Sequence, residues 1–130
     1  MIKALIVDDE MPARNELIFM LEETGKAEVV GEAGDVPSAI NLIKAHQADV
    51  LFLDINMPGY SGLQLAEVLK THPNPPAIIF VTAYSNFALK AFDVNALDYL
   101  VKPVEAERLL AALDKVEKAK GAKAPAAPLE

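Results

Sequence analysis

The chain contains no cysteine. A disulfide framework, a thiolate zinc site and a cysteine nucleophile are therefore excluded, and the redox compartment is left open. No charged segment followed by an apolar run and a cleavage site stands at the start, where Met1-Ile2-Lys3-Ala4 leads straight into a strand pattern. No apolar stretch approaches the roughly 20 residues needed to cross a bilayer. No membrane association is expected, and a bacterial-type cytoplasmic protein is the simplest reading. A basic face is also missing: the formal net charge is −7, whereas a nucleic-acid-binding domain normally carries a positive patch. Lys115, Lys118, Lys120 and Lys123 do gather near the C-terminus, but acids and alanines separate them. That pattern reads as a solvated helix end, and this domain by itself is not expected to bind DNA.

What is present is an alternation. With 130 residues, 52% of them hydrophobic and 24% charged, the chain is long enough for one core and too short for two ordinary ones. Short runs at residues 3–8, 49–54, 77–82 and 98–102 read as strands, and Glu-Val-Val-Gly-Glu-Ala at 28–33 as a weaker one. Between them lie stretches of helical period. Residues 11–24 set Leu17, Ile18, Met20 and Leu21 on one face, with Pro12 in the tolerated first turn and Gly25 as the stop. Residues 36–46 carry Ala39, Ile40, Leu42 and Ile43, with Asp35 as the predicted N-cap. A third helix is predicted from about residue 63 to 71, after a loop containing Pro58, Gly59 and Gly62. His72-Pro73-Asn74-Pro75-Pro76 then breaks the chain. A short helix is predicted over about residues 86–92 and a last one over about 106–120.

Five strand–helix units in strict alternation imply an α/β fold: a doubly wound five-stranded parallel sheet with five flanking helices. Strands that are apolar throughout agree with burial on both faces. Residues 1–120 are read as the domain, and residues 121–130, rich in alanine and proline, as a flexible linker or tail.

Charged groups close three of the strands. Asp8 and Asp9 follow the first, Asp54 follows Val50-Leu51-Phe52-Leu53, and Lys102 follows Tyr99-Leu100-Val101, with Pro103 next. In an open parallel sheet the carboxyl edge is where ligands bind. Adjacent acids at a strand end are also common turn residues; a third acid at the same edge calls for a compensating cation. Mg²⁺ suits oxygen-only sites and needs only one or two carboxylates. Asp9 and Asp54 can supply these, with Asp8 close or water-bridged. Thr82 ends the fourth strand and would offer a hydroxyl at the same edge, with small Ala83 leaving room. A carboxylate can attack phosphorus to form an acyl phosphate, with a metal and a lysine offsetting charge on the equatorial oxygens. The Lys102-Pro103 bond is open to either isomer. Without a cation, one of the clustered acids is expected to bind a proton more readily than a free aspartate.

These residues resemble the receiver domain of two-component response regulators. The resemblance spans about residues 2–120 and rests on Val7-Asp8-Asp9-Glu10, Leu53-Asp54-Ile55-Asn56-Met57-Pro58 with Gly62, Val81-Thr82-Ala83 and Lys102-Pro103. It implies a flavodoxin-like fold with strand order 2-1-3-4-5. It implies Asp54 as phosphoacceptor, Asp8 and Asp9 as the acid pair that holds Mg²⁺, and the backbone carbonyl of Asn56 as a further ligand. Thr82 resembles the switch hydroxyl, Lys102 the phosphate-contacting lysine and Tyr99 the switch aromatic. The stretch from Thr82-Ala83-Tyr84-Ser85-Asn86 through Leu97-Asp98-Tyr99-Leu100-Val101-Lys102-Pro103 is similar to the LytTR (LytR/AlgR-type) branch. In that branch a DNA-binding effector domain follows the receiver, and here it is expected to be absent, so that DNA is reached only through that domain.

By this resemblance a sensor histidine kinase supplies the phosphoryl group. Phosphorylation then remodels the face built from the fourth helix, the fifth strand and the last helix, and two copies pair there as a homodimer. Phe87, Ala88, Ala91 and Phe92 are the expected apolar contacts. Tyr84, two positions after Thr82, is expected to shield the acyl phosphate from water, as Asn56 occupies the matching position after Asp54. The chain is a signalling domain, an enzyme only toward its own phosphorylation. A haloacid-dehalogenase-like phosphatase is the main rival, but the second acid it needs two residues after the nucleophile is Asn56. A flavodoxin needs a phosphate loop where Asp8-Asp9-Glu10 would repel one. A degenerate receiver is disfavoured because every motif residue is intact.

Overall fold

A computed structural model describes residues 1–57, 60–84, 91 and 94–123. Its strands are β1 (Ile2–Val7), β2 (Ala27–Ala33), β3 (Val50–Leu53), β4 (Asn56–Met57), β5 (Tyr60–Ser61), β6 (Ala77–Thr82) and β7 (Asp98–Val101). Its helices, numbered here in chain order, are α1 (Met11–Thr24), α2 (Val36–Ala45), α3 (Gly62–Leu69) and α4 (Ala106–Lys123).

Five strands form one sheet in the order β2-β1-β3-β6-β7, and every neighbouring pair is parallel. This is the predicted 2-1-3-4-5 order once β4 and β5 are set aside. Those two strands form a separate antiparallel pair, Asn56 with Ser61 and Met57 with Tyr60, where the sequence reading placed only a loop. Four helices flank the sheet among the described residues; the helix predicted over residues 86–92 lies outside them except for Ala91. The last helix continues through Lys123, past the predicted end at residue 120.

Successive side chains on a strand point to opposite faces, and here both faces are covered. Leu5, Val7, Leu51, Leu53, Ile78 and Phe80 point toward α2 and α3. Ala4, Ile6, Val50, Phe52, Ile79 and Val81 point toward α1 and α4. Phe52 and Phe80 are almost fully buried, and full burial of such a side chain is worth about 1.5–3 kcal/mol. Two cores on the two sides of one sheet explain why the central strands β3 and β6 carry no polar alternation, whereas edge strand β2 carries Glu28 and Glu32.

Local chemistry sets the helix ends. Gly25 takes φ 68°, a left-handed conformation that stops α1, and its amide donates to the Glu22 carbonyl. Asp35 caps α2 by accepting from the Ser38 amide at 2.8 Å. Ser61 caps α3 in a reciprocal pair: its hydroxyl accepts from the Leu63 amide, and its own amide donates to Gln64. Three of the lysines near the end of α4 are partly exposed and ion-paired. Lys115 pairs with Asp98, Lys118 with Asp114 and Lys120 with Asp49, at 3.3, 3.1 and 3.3 Å.

Candidate functional site

Register brings the predicted residues to one edge. Val7 pairs with Leu53 across β1 and β3, and Leu53 with Phe80 across β3 and β6. Thr82 pairs with Val101 across β6 and β7. Asp8, Asp54 and Lys102 each stand one residue beyond a paired strand end. Each amide still extends the ladder: Asp8 donates to Ala33, Asp54 to Val7 and Lys102 to Thr82. The backbone from which each side chain leaves is therefore fixed by the sheet.

Carboxylate oxygens of Asp8, Asp9 and Asp54 all lie within 4.8 Å of one another. Asp8 and Asp54 are buried and Asp9 is exposed, so the cluster opens to water on the Asp9 side. The Lys102 ammonium reaches in from β7 and bridges two of the acids, at 2.7 Å from Asp8 and 3.2 Å from Asp54. The second oxygen of Asp8 accepts from the Glu10 amide at 2.9 Å, and that of Asp54 from the Asn56 amide at 3.2 Å. The Lys102-Pro103 peptide is cis.

Burial, with the charge of Asp8 adding to it, raises the Asp54 carboxyl above the usual aspartate value, against the pull of Lys102. The direction is the one expected for one of the clustered acids, but burial is its leading cause and repulsion from Asp8 a smaller one. Burial alone would lower the Lys102 ammonium, but its bond to Asp8 and the charge of Asp54 hold it above the ordinary lysine value.

Thr82 is fully buried, and the Tyr84 amide lies 3.4 Å from its hydroxyl. The Tyr84 side chain is exposed, and its phenol lies 3.4 Å from the Asn56 amide nitrogen. Asn56 and Tyr84, each two positions after Asp54 or Thr82, thus face each other. Tyr99 packs against Phe80, with ring centroids 6.3 Å apart, and its phenol donates to the Tyr84 carbonyl. Phe87, Ala88 and Phe92 lie outside the described residues, while Ala91 is buried.

Two further residues hold the site. A Cβ on Gly62 would stand 2.2 Å from the carbonyl oxygen of Asp54, so only glycine lets α3 start this close to the acid. Arg14 donates from Nη1 to the Asp8 carbonyl and from Nε to Glu32 at 2.8 Å. Sequence reasoning missed Arg14. Its signal was a cation on the first turn of the helix that follows the acid pair.

The oxygen-only donor set and the excess of negative charge fit a hard divalent cation such as Mg²⁺. A buried carboxylate beside a lysine and a hydroxyl also fits phosphoryl capture.

Comparison with known proteins agrees with this chemistry. The response regulator receiver domain family matches residues 4–114. The sensory transduction protein LytT of Bacillus anthracis is 47% identical over 120 residues, covering 92% of this chain and 49% of that protein. The transcriptional regulatory protein LytR of Staphylococcus aureus is 42% identical over 118 residues, covering 91% and 48%. The chain thus spans about half the length of the curated relatives it matches. Among solved structures, the response regulatory domain of mrkE from Klebsiella pneumoniae superposes with a TM-score of 0.83 at 33% identity, covering 91% of this chain and 97% of that one. The response regulator TrrA from Thermotoga maritima, in complex with Mg²⁺-BeF, gives 0.78 at 32% identity, covering 89% and 99%.

Proposed function

The chain belongs to the response regulator receiver family, and from that premise we propose that Asp54 accepts a phosphoryl group from a sensor histidine kinase. An oxygen of the Asp54 carboxylate attacks phosphorus. The new O–P bond forms as the P–N bond to the donor imidazole breaks, and the imidazole takes a proton as it leaves. Lys102 already bridges Asp8 and Asp54 and lies within reach of the oxygens the phosphoryl group would bring. The Thr82 hydroxyl turns to one of those oxygens, and the peptide after it follows. Tyr99, bonded to the Tyr84 carbonyl, is drawn along by that peptide.

Asp8, Asp9 and Asp54, with the Asn56 carbonyl, would hold Mg²⁺, which when bound offsets negative charge on the transferred group. The same groups would let the domain catalyse its own phosphorylation and dephosphorylation. The switched surface is the face of β7 and α4 with the segment before them. Homodimer pairing through it fits the exposed Val101 and Leu110. DNA would be reached through a LytTR-type output domain of the longer protein, with residues 1–120 as the receiver and 121–130 as the start of its linker. No helix of the described residues is long and apolar enough to cross a membrane, in keeping with a cytoplasmic site of action.

The observation that carries this reading is one lysine bridging two of three carboxylates at adjacent strand ends. Intact mass of the wild type and Asp54→Ala after incubation with acetyl phosphate and Mg²⁺ tests it. A gain of about 80 Da, one phosphoryl unit, in the wild type only is expected. A gain in both proteins would move the acceptor elsewhere, and a gain in neither would leave an interaction module independent of phosphorylation.

A further inference from the structure

Within the turn that carries Asp8 and Asp9, the Asp8 carboxylate accepts from the Glu10 amide at 2.9 Å. Glu10 stands at the N-cap of α1 without a side-chain cap bond, and the first turn of that helix has no acidic residue. Arg14 adds a side-chain tie from the turn to β2. Its guanidinium donates from Nη1 to the carbonyl of Asp8 and from Nε to the Glu32 carboxylate on β2 at 2.8 Å. The side chain is only 12% exposed. It passes close to Gly34, where a Cβ would lie 3.1 Å from Nη1 and would have to push the guanidinium by a few tenths of an ångström. The Asp8 amide donates to Ala33 at 3.0 Å. Both sides of this residue's backbone are thus tied, the amide to β2 and the carbonyl to Arg14.

The carbonyl of Asp8 lies in the same peptide plane as the amide of Asp9. The orientation of that plane sets the directions in which the two side chains leave the backbone. We infer that Arg14 is a positioning residue for cation binding. By holding the Asp8 carbonyl it fixes the angle at which the Asp8 and Asp9 carboxylates converge, and Glu32 acts only by orienting Arg14. This rests on the reading that these acids hold Mg²⁺. A lysine at position 14 should replace it only in part, because an ammonium lacks the rigid planar fork that sets the directions of two hydrogen bonds at once.

Calorimetric titration of the unphosphorylated chain with Mg²⁺, well below the melting temperature, tests the inference. The proteins compared are wild type, Arg14→Ala, Arg14→Lys, Glu32→Ala and the Arg14→Ala/Glu32→Ala double variant. Loss of a group that orients metal ligands typically weakens metal binding about 10–100-fold, and about tenfold is expected for Arg14→Ala. Arg14→Lys should recover only part of the loss, Glu32→Ala should lose about threefold by the same reasoning, and the double variant should match Arg14→Ala alone. Phosphorylation of Arg14→Ala by acetyl phosphate should be slow at limiting Mg²⁺ and return to the wild-type maximum at saturation.

A lowered melting temperature with Mg²⁺ affinity within about twofold of wild type would make Arg14 merely structural. A further loss in the double variant would remove Glu32 from the arrangement. If Arg14→Ala does not fold, Glu32→Ala carries the same comparison, and unchanged affinity there overturns the inference. A wild type that binds Mg²⁺ but gains no phosphoryl group defeats the functional reading and leaves Arg14's role standing. A wild type that binds no Mg²⁺ defeats both.

Discussion

Gly62→Ala adds one methyl group at the point where α3 meets the candidate phosphoacceptor. The added carbon would stand 2.2 Å from the Asp54 carbonyl oxygen and 3.0 Å from both the Asp54 carbonyl carbon and the Ile55 Cα. Carbon–carbon contacts settle near 3.5–4.0 Å, so the backbone must part by roughly 1 Å. All three neighbours are main chain, so no side chain can swing aside. The Gly62 amide also donates to the Ile55 carbonyl at 2.7 Å, a bond that the same parting would stretch. Overpacking costs about 1–3 kcal/mol where side chains can relax, and more where they cannot. Better helix propensity returns about 1 kcal/mol at most. A net loss of about 2–3 kcal/mol follows, which for a domain of this size lowers Tm by roughly 8–12 °C. Thermal unfolding followed by circular dichroism reads this directly. Gly25→Ala is the control. No atom lies within 4 Å of its Cβ, but its φ is +68°, so it should cost about 1–2 kcal/mol of backbone strain and leave Asp54 phosphorylation unchanged. A Gly62→Ala protein melting within about 2 °C of wild type would refute the steric argument, since that corresponds to well under 1 kcal/mol.

The other predictions concern charge and water. The Asp54 carboxyl is raised by burial and by Asp8, so the native state holds its proton more tightly than the unfolded chain and loses stability as pH rises through the folded value. Asp54→Asn should therefore melt higher than wild type at pH 7 in the absence of divalent cations. That advantage should shrink as pH falls toward 4, and a growing advantage would reverse the sign of the argument. Asp98 is half-buried, which would raise it, but its bonds to Arg108 hold it below the usual aspartate value; the stability it contributes is present above the unfolded value and lost as pH falls through the folded one. Arg108→Ala removes two bonds to Asp98, at 2.8 and 3.2 Å, and because the arginine is largely exposed and Lys115 still pairs with Asp98, urea unfolding at pH 7 should show a loss of up to about 1 kcal/mol that shrinks in acid. Tyr84→Ala removes the phenol beside Asn56 and should shorten the acyl-phosphate half-life severalfold in a decay assay by intact mass; an unchanged half-life removes the shielding role.

Much of this was legible because the information is local. The strand ends were readable from apolar runs stopped by Asp8, Asp54 and Lys102, and the parallel register then leaves these residues little choice but to meet. Asp35 and Gly25 announced their caps by type and position. What could not be read depends on contacts across the fold. Gly62 was visible as part of a motif, but its closeness to the Asp54 carbonyl is set by how α3 packs. The pairing of Asn56 and Met57 with Tyr60 and Ser61 involves too few residues to leave a period. Arg14 looks like any polar residue on an amphipathic helix, because its partners are a main-chain carbonyl and an acid eighteen positions away. The Tyr99 phenol finds a backbone acceptor fifteen positions back, which no spacing rule anticipates.

As a stability device the site is a poor arrangement. Three carboxylates face one ammonium, which leaves two negative charges in excess at an edge where two of the acids are buried. Ion pairs placed in such surroundings return little of what their desolvation costs, and apolar side chains of similar volume often do better. Yet the surrounding structure works to keep the acids together. Sheet amides fix their backbones, Glu10 and Asn56 amides bond their side chains, Arg14 holds the turn between them, and Gly62 gives up its side chain to let α3 close over Asp54. Local strain of this kind persists only where the rest of the fold over-determines it. The imbalance is relieved by adding positive charge, and adding a phosphoryl group to Asp54 changes it again. A fold that holds its acids against their own repulsion is thereby sensitive to both events. That sensitivity is what a domain needs if its conformation is to report the chemical state of one aspartate.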